Sequence, residues 1–289
     1  MFEKILMISE PMPNADVILK CVVALKKTGT KECLLFQCLN PKILYETPST
    51  FVADIFHTNL EAQQKYLTEQ GLTVTTREAV GYIRDEISQV AHDEHCTLIV
   101  AGANEQSLLG DLLFGNAAYS VMHGATMPLL IVRVPGRTEL PEAIRPFRDL
   151  STHVLFPTDF SDNANQAFAV LKEMVSAGVR KITLLHVQDK SRIEPHLLDQ
   201  LNEFNRVDAQ RLRQMADELK VIAPVDVATQ LLYGSPTAEI LRLVCDQQIS
   251  LVIMGSQGRG YIKEVYLGSV SHNIARHAVA SVLLIPAAR

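Results

Sequence analysis

Short apolar runs alternate with amphipathic stretches of helical spacing along the whole chain. An apolar run that stops at a loop predicts a buried strand, and an amphipathic stretch predicts a helix that covers the sheet. Because strands alternate with helices, the pattern indicates an α/β fold with a parallel sheet covered on both faces. In the first half the predicted strands lie at 4–9, 32–39, 74–76, 97–101 and 129–134, and the predicted helices at 16–27, 50–70 and 81–91.

The second half repeats the same order of elements. A polar stretch with several prolines separates the halves and has the composition of a linker. We therefore expect two tandem domains, at 1–135 and 151–289, joined by a linker at 136–150. In the second domain a strand from 153 runs into a loop that ends at 161, further strands are predicted at 181–187, 225–232, 251–254 and 281–285, and helices at 164–177, at 195–221 and through Ile240 and Leu241.

Composition and charge fit two ordinary globular cores. The 289 residues are 47% apolar and 20% charged, which is unlike a disordered chain. A formal net charge of −5 argues against broad attraction to nucleic acids or membrane surfaces. The five cysteines are scattered without a C-x-x-C pair, as is typical of reduced core thiols. With no apolar run of transmembrane length and no signal-peptide layout, we expect a cytoplasmic protein.

The strongest chemical signal lies between 251 and 271. An apolar run stops at Gly255, Gly258 follows, and Gly268-Ser269 opens a segment of helical spacing. Ser269 has the residue type of an N-cap, so the N–H groups after it would face the space before the helix. Those N–H groups and the helix dipole favour an anion, and glycines allow close approach of the backbone and a positive φ. The segment therefore predicts a phosphate cradle.

This glycine pattern matches neither of the commoner phosphate motifs. Gly255 and Gly260 have Walker A spacing, but Tyr261 and Ile262 stand where lysine and serine or threonine are required. The dinucleotide fingerprint fails as well, because Lys263 occupies its third glycine position. The alternative reading is a strand, turn and helix in which the glycines serve only the turn.

Segments of the second half resemble the universal stress protein family in its tandem two-domain form. They are 157–161 with the sequence PTDFS, 184–187 with LLHV, 234–236 with GSP, and the spacing Gly255-x2-Gly258-x9-Gly268-Ser269. The resemblance implies two doubly wound domains of the adenine nucleotide alpha hydrolase-like type, each with five parallel strands in the order 3-2-1-4-5. It also implies a nucleotide above the carboxyl ends of strands 1 and 4, where the general rule for doubly wound sheets places ligands.

The resemblance implies a role for each residue of the predicted site. Backbone groups of the glycines and of the helix start would hold phosphates, and Asp159 would approach the ribose or the adenine. Taken alone, Asp159 could equally be the N-cap of the following helix, and Val187 and Met254 could be core residues. Arg259 and Lys263 would either screen the terminal phosphates or be ordinary exposed charges. The predicted cofactor-binding residues are Pro157, Thr158, Asp159, Val187, Met254, Gly255, Gly258, Arg259, Gly260, Gly268, Ser269, Val270 and Ser271.

The first half departs from the pattern where phosphate would bind. Gly102 and Gly115 keep the outer spacing, but Glu105 replaces the middle glycine and Asn116 replaces the serine. A carboxylate about 4 Å from a phosphate would cost about 4 kcal/mol at an effective dielectric of 20, more than the 0.3–1 kcal/mol of a helix terminus. Residues 9–11 have the sequence SEP, where the second half has TDF at 158–160. Arg77 is predicted to stand in place of the third-loop glycine. We expect poor nucleotide binding there, or binding of another ligand.

These patterns predict a regulatory or sensory stress-response protein that binds ATP or AMP in its second domain. Mg²⁺ could accompany a triphosphate without implying hydrolysis. The alternative is a slow ATPase or another nucleotide-processing enzyme on the same fold, and a third possibility is a chain that has lost nucleotide binding and keeps only oligomer contacts. No catalytic or metal-binding set is predicted: His92 and His95 lie at a helix end, and His186 lies inside a strand. We expect the domains to pair within one chain through their final strands, and a homodimer of whole chains is compatible with the sequence.

Overall fold

The computed structural model describes residues 1–12, 14–41, 49–103, 117–134, 149–189, 201–258 and 267–287. The chain divides into two compact units, Met1–Phe147 and Arg148–Arg289. The predicted Arg259, Gly260 and Lys263 of the second half, and Glu105, Gly115 and Asn116 of the first, lie outside the described residues. None of the helices in the described ranges is both long enough and apolar enough to cross a membrane.

The first unit is a parallel five-stranded sheet with helices on both faces. Its strand order is β3-β2-β1-β4-β5, and every described pair is parallel. In chain order the elements are β1 (Lys4–Ile8), α1 (Asp16–Ala24), a 3-10 helix (Leu25–Thr28), β2 (Glu32–Leu39), α2 (Ser49–Glu69), β3 (Thr73–Val80), α3 (Ile83–Asp93), β4 (Leu98–Ala103), α4 (Ala117–Met122) and β5 (Leu129–Arg133).

The second unit has the same order of elements. Its sheet runs β8-β7-β6-β9-β10, so the strands follow the same 3-2-1-4-5 order as in the first unit. The elements are β6 (Val154–Pro157), α5 (Asp162–Ser176), β7 (Lys181–Asp189), α6 (Leu201–Ile222), β8 (Asp226–Gly234), α7 (Pro236–Asp246), β9 (Leu251–Gly255), α8 (Ser269–His277) and β10 (Ser281–Ile285). The predicted doubly wound fold is confirmed in both units.

Helix placement follows from the right-handed crossovers between parallel strands. In the second unit α5 packs against α6, and α7 packs against α8. The strands β7 and β8 follow on one side of β6, and β9 and β10 lie on its other side. Because the order of the strands reverses in this way, the two pairs of helices cover opposite faces of the sheet. The central strands β6 and β9 are buried along their whole length, as expected for strands that are covered on both faces.

The third strand of the first unit is much longer than the sequence predicted, whereas β8 in the second unit lies close to its predicted range of 225–232. The prediction at 74–76 falls within β3, which pairs with β2 along eight residues from Thr73 to Val80. Most side chains of β3 are exposed, because β3 is the outer strand of the sheet beside β2. It therefore has no continuous apolar run from which its ends could be predicted. The predicted helix at 195–221 is seen at Leu201–Ile222, and 190–200 lie outside the described residues.

Candidate functional site

The loops after β6 and β9 meet at the carboxyl edge of the second sheet. This is the point where the strand order reverses, since β6 lies between β7 and β9. The approach is close: a Cβ atom placed on Gly258 would lie 2.6 Å from Asp159 Oδ2. Asp159 is half-buried and Gly258 is exposed, so solvent reaches the place where the two loops meet.

The loop after β6 is held by its own short polar side chains. Asp159 Oδ1 accepts a hydrogen bond from the Ser161 N–H at 3.1 Å, and Thr158 Oγ1 accepts one from the Phe160 N–H at 3.0 Å. Ser161 is the N-cap of α5, because its Oγ accepts the Ala164 N–H at 3.2 Å. The alternative reading of Asp159 as the helix N-cap is therefore wrong, and Asp159 Oδ2 faces the glycine loop.

The loop after β9 is fixed by Asn163, which the sequence reasoning missed. Asn163 Oδ1 accepts the Gln257 N–H at 2.9 Å, and Asn163 Nδ2 donates to the carbonyl of Ile285 at 3.1 Å. A Cβ on Gly255 would lie 2.6 Å from Asn163 Oδ1, so only glycine lets this amide come so close. The available signal was an asparagine within the buried stripe of α5, next to Ala164.

The start of α8 differs by one residue from the prediction. Gly268, with φ −71° and ψ 156°, is the N-cap, and Ser269 is the first helical residue. The Gly268 N–H donates to the Ser256 carbonyl at 2.7 Å, which holds Gly268 in the extended conformation outside the helix. As a glycine, Gly268 has no side chain with which to cap α8, and the first N–H groups of a helix have no acceptor within it.

The predicted left-handed backbone is not found at the described glycines of this loop. Gly255, Gly258 and Gly268 all lack a positive φ. Their missing Cβ atoms matter instead for close approach by neighbouring groups. Ser271 is buried and its Oγ donates to the Gly255 carbonyl at 2.9 Å, so this hydroxyl ties α8 to β9 rather than facing a ligand.

The remaining predicted residues lie at the same edge of the sheet. Pro157 pairs with Leu185 and is buried, whereas Val187 on the neighbouring strand is half-buried. Met254 is buried on β9. Ser256 Oγ is also buried and has no hydrogen-bond partner among the described residues. The open helix start, the exposed glycine and this orphaned hydroxyl fit a ligand with several hydrogen-bond acceptors, as a phosphate group has.

In the first unit the glycine at the end of β4, Gly102, is the counterpart of Gly255 and is closely packed as well. A Cβ on Gly102 would lie 2.3 Å from Ile18 Cδ1 and 2.7 Å from Met12 Sδ. Burial raises the pKa of the Glu10 carboxyl to about 7, and a hydrogen bond from the backbone N–H of Ala117 opposes this shift. The glycine at the end of β4 therefore faces apolar side chains, whereas its counterpart Gly255 faces the polar amide of Asn163.

The sequence predicted that the first unit has lost the glycine of its third loop, and this prediction is wrong. Gly81 follows β3 as Gly234 ends β8, and a Cβ on each would lie 3.3 Å from Glu86 Oε1 and 3.4 Å from Glu239 Oε1, respectively. The third-loop glycine is therefore kept. Arg77 lies inside β3, where it forms an ion pair with Glu94 at 3.2 Å. The sequence spacing missed this because the length of β3 depends on its pairing with β2.

The described part of the chain contains no group of three or more histidine, cysteine, aspartate or glutamate side chains that could hold a metal ion. The cysteines are free thiols. Burial raises the pKa of Cys33 to about 12 and that of Cys38 and Cys96 to about 11, so these thiols are poor nucleophiles at neutral pH. Cys245 is exposed, which corrects the expectation that all the cysteines are core residues.

The family model of the "Universal stress protein family" matches residues 1–133 and again residues 151–286. The chain belongs to the universal stress protein family. A solved universal stress protein from Archaeoglobus fulgidus shares the fold over 98% of this chain and 95% of its own, with a TM-score of 0.67 and 19% identity.

Other family members match about half of the chain. The universal stress protein MJ0577 of Methanocaldococcus jannaschii is 27% identical over 150 residues, which cover 46% of this chain and 93% of that protein. A solved universal stress protein in complex with cAMP covers 46% of this chain and 95% of its own, with 20% identity and a TM-score of 0.36.

Proposed function

We propose that this universal stress protein binds an adenine nucleotide, ATP or AMP, at the carboxyl edge of its second unit. The observation that carries the proposal is the start of α8, which has a glycine as its N-cap, beside the exposed Gly258. Backbone N–H groups of Ser269 and Val270 have no acceptor within the helix, and the helix dipole adds a partial positive charge there. An anion with several acceptor oxygens would satisfy these donors.

The charge of Asp159 sets the orientation of the nucleotide. Its Oδ2 faces Gly258, and a phosphate about 4 Å from this carboxylate would be repelled by about 4 kcal/mol. Phosphates are therefore favoured at the start of α8, and ribose hydroxyls, which are donors, are favoured at Asp159. The half-buried Val187 and the buried Pro157 and Met254 provide apolar surface for the base.

The proposed role is regulatory rather than catalytic. Phosphoryl-transfer enzymes position a lysine, a base and carboxylates for metal ions around the transferred group. The described loops offer glycines, hydroxyls and the single carboxylate of Asp159 instead. Binding of the nucleotide would then act through the shape of the loops after β6 and β9. A steady-state ATP turnover in the ordinary enzyme range of about 1–10³ s⁻¹ would favour the alternative of a nucleotide-processing enzyme.

In the first step of the test, purified protein is denatured, and any nucleotide that it releases is identified by chromatography. Nucleotide-free protein is then titrated with ATP, ADP, AMP and GTP, and the melting temperature is followed. At a ligand concentration of 100 times Kd, binding should stabilise the protein by about 2.7 kcal/mol. Gly258→Asp should remove this shift because its Cβ would lie 2.6 Å from Asp159 Oδ2 and it would add a second carboxylate to the site, whereas Gly124→Asp in the first unit should not. An unchanged shift in Gly258→Asp would contradict the proposed site.

A further inference from the structure

A buried histidine links the loop after β6 to the long helix α6. His186 on β7 is 6% exposed, and its Nδ1 lies 2.6 Å from the carbonyl oxygen of Thr158. A carbonyl only accepts, so Nδ1 carries the proton and donates. On the other side of the ring, Nε2 lies 3.5 Å from Asp208 Oδ2 on α6, and the two groups form an ion pair when the ring carries a proton on both nitrogens. The ring therefore connects α6 with the residue that precedes Asp159.

Asp208 is itself held by one hydrogen bond and one further ion pair. Its Oδ2 accepts a hydrogen bond from Gln188 Nε2 at 2.9 Å, and its Oδ1 lies 3.7 Å from Arg211 Nη1. The side chain of Asp208 is only 14% exposed, so this carboxylate depends on its partners rather than on water. We call Asp208, His186 and their contact to Thr158 the Asp208–His186 bridge.

The bridge also holds the residue that follows Asp159. The rings of Phe160 and His186 lie 4.7 Å apart between centroids, and Arg211 Cζ lies 5.3 Å from the Phe160 centroid. Phe160 has φ +59°, in the left-handed region that is unfavourable for a bulky side chain. Such a conformation persists only where surrounding contacts enforce it. His186 and Arg211 supply those contacts.

The first unit lacks this arrangement. Ser9 donates its N–H to the Phe36 carbonyl at 2.9 Å, as Thr158 does to Leu185 at 2.8 Å. The residue after Phe36 is Gln37, which therefore stands where His186 stands in the second unit, and its Nε2 donates to Glu78 Oε2 at 3.2 Å. The amide of Gln37 thus bonds within the sheet, and the long helix α2 reaches the loop after β1 by a different contact, from Asn59 Nδ2 to Ser9 Oγ at 3.2 Å.

We propose that the Asp208–His186 bridge positions Asp159 for the ribose of the bound nucleotide. Asp159 lies between two residues that the bridge fixes, Thr158 through its carbonyl and Phe160 through its ring. His186 and Asp208 are positioning residues, since they act on the ligand through the loop. This inference rests on the proposed nucleotide site, and it adds that α6 controls recognition of the sugar.

Comparing ATP with 2′-deoxy-ATP tests the bridge, because the two ligands differ only in a ribose hydroxyl. Wild-type protein should prefer ATP by about tenfold, the value of one hydrogen bond to a charged group. Asp208→Asn and His186→Gln should bind both ligands with nearly equal affinity. The double variant should lose no more of the preference for ATP than either single variant does. Glu218→Gln is the matched control, because Glu218 lies on α6 in an exposed pair with Lys172.

The result that would overturn the bridge is an ATP preference that survives in both variants, or that wild-type protein never shows. A parallel loss of affinity for both ligands would also overturn it, since that indicates general damage to the unit. Nucleotide-free protein gives an independent readout: the amide NMR resonances of Asp159 and Phe160 should move in Asp208→Asn and stay fixed in Glu218→Gln. If no nucleotide binds but these resonances move, the proposed function fails while the mechanical link from α6 to the loop stands.

Discussion

The glycines of the second unit matter because they have no side chain, so that neighbouring groups can come close to the backbone. At Gly255 the space is taken by the amide of Asn163, and at Gly258 by the carboxylate of Asp159. The sequence spacing located these glycines, but it could not say which side chains enter the vacated space. That information depends on contacts between residues far apart in the chain, such as the bond between Asn163 and the Ile285 carbonyl.

Asn163→Asp tests the role of this amide at the scale of one residue. The new carboxylate could still accept the Gln257 N–H, but it would face the Ile285 carbonyl with a second acceptor instead of a donor. We expect a loss of about 1–3 kcal/mol in the free energy of unfolding, measured by calorimetry, and weaker nucleotide binding. Asn165→Asp, at an exposed position of α5, is the control. Equal stability of the two variants would contradict this role.

Glu10 predicts a pH dependence in the first unit. Burial raises the pKa of Glu10 from 4.5 to about 7, so the folded unit favours the protonated form. The stability that this carboxyl contributes is fully present below pH 4.5 and is lost as the pH rises through about 7. Glu10→Gln should therefore exceed wild type in stability at pH 8, by about 1–3 kcal/mol, and much less at pH 5.

Calorimetric melting at both pH values checks this expectation, with Glu69→Gln at an exposed position as the control. Glu10 keeps part of its surface exposed, which favours the lower end of the range. A difference between Glu10→Gln and wild type that does not change with pH would show that the carboxyl stays ionised in the folded unit.

At the scale of elements, the strands with continuous apolar runs were predictable, and the mostly exposed β3 was not. The run at 281–285 matches β10, because every residue of that strand is buried. By contrast, β3 is defined by its backbone pairing with β2, and its mostly exposed side chains left only 74–76 visible in the sequence. The start of α8 was misplaced by one residue, because the bond from Gly268 to Ser256 spans a loop.

The start of α8, with its glycine N-cap, leads to a prediction with opposite signs for stability and binding. Ser269→Asp places a carboxylate at the positive end of the helix dipole, which should stabilise the nucleotide-free protein by about 0.3–1 kcal/mol. The same carboxylate would repel phosphate, so the nucleotide affinity should fall by about tenfold or more. Thermal melting and calorimetric titration measure the two effects.

His277→Asp provides the control, because it places the same charge at the opposite end of α8. It should lower the stability, since the dipole is negative there, and should leave nucleotide affinity unchanged. A Ser269→Asp variant that binds nucleotide as tightly as wild type would place the phosphates elsewhere.

At the scale of the whole molecule, the sequence repeat predicted two α/β units, and each unit has the expected strand order. What the repeat concealed is how differently the two edges are built. At the end of the fourth strand Gly102 meets the apolar Ile18 and Met12 in one unit, and Gly255 meets the amide of Asn163 in the other. The interrupted glycine pattern at Glu105 pointed in the same direction, although through residues outside the described part of the chain.

Association of the two halves through their final strands stays a prediction from the sequence. The segments 129–132 and 282–285 are strongly apolar, and an uncovered strand edge of this kind promotes aggregation. Residues 1–140 and 150–289, expressed separately, should therefore associate when mixed, as measured by analytical ultracentrifugation. Two soluble monomeric fragments that stay apart would argue against pairing within the chain.

The number of nucleotides bound per chain tests the central claim most directly. Nucleotide-free full-length protein is titrated with ATP in an isothermal calorimeter, beside Gly258→Asp. We predict one nucleotide per chain, because the glycine spacing is complete in the second half and is interrupted by Glu105 in the first, and we predict none in Gly258→Asp. Two nucleotides per chain, or one that remains bound in Gly258→Asp, would contradict the account.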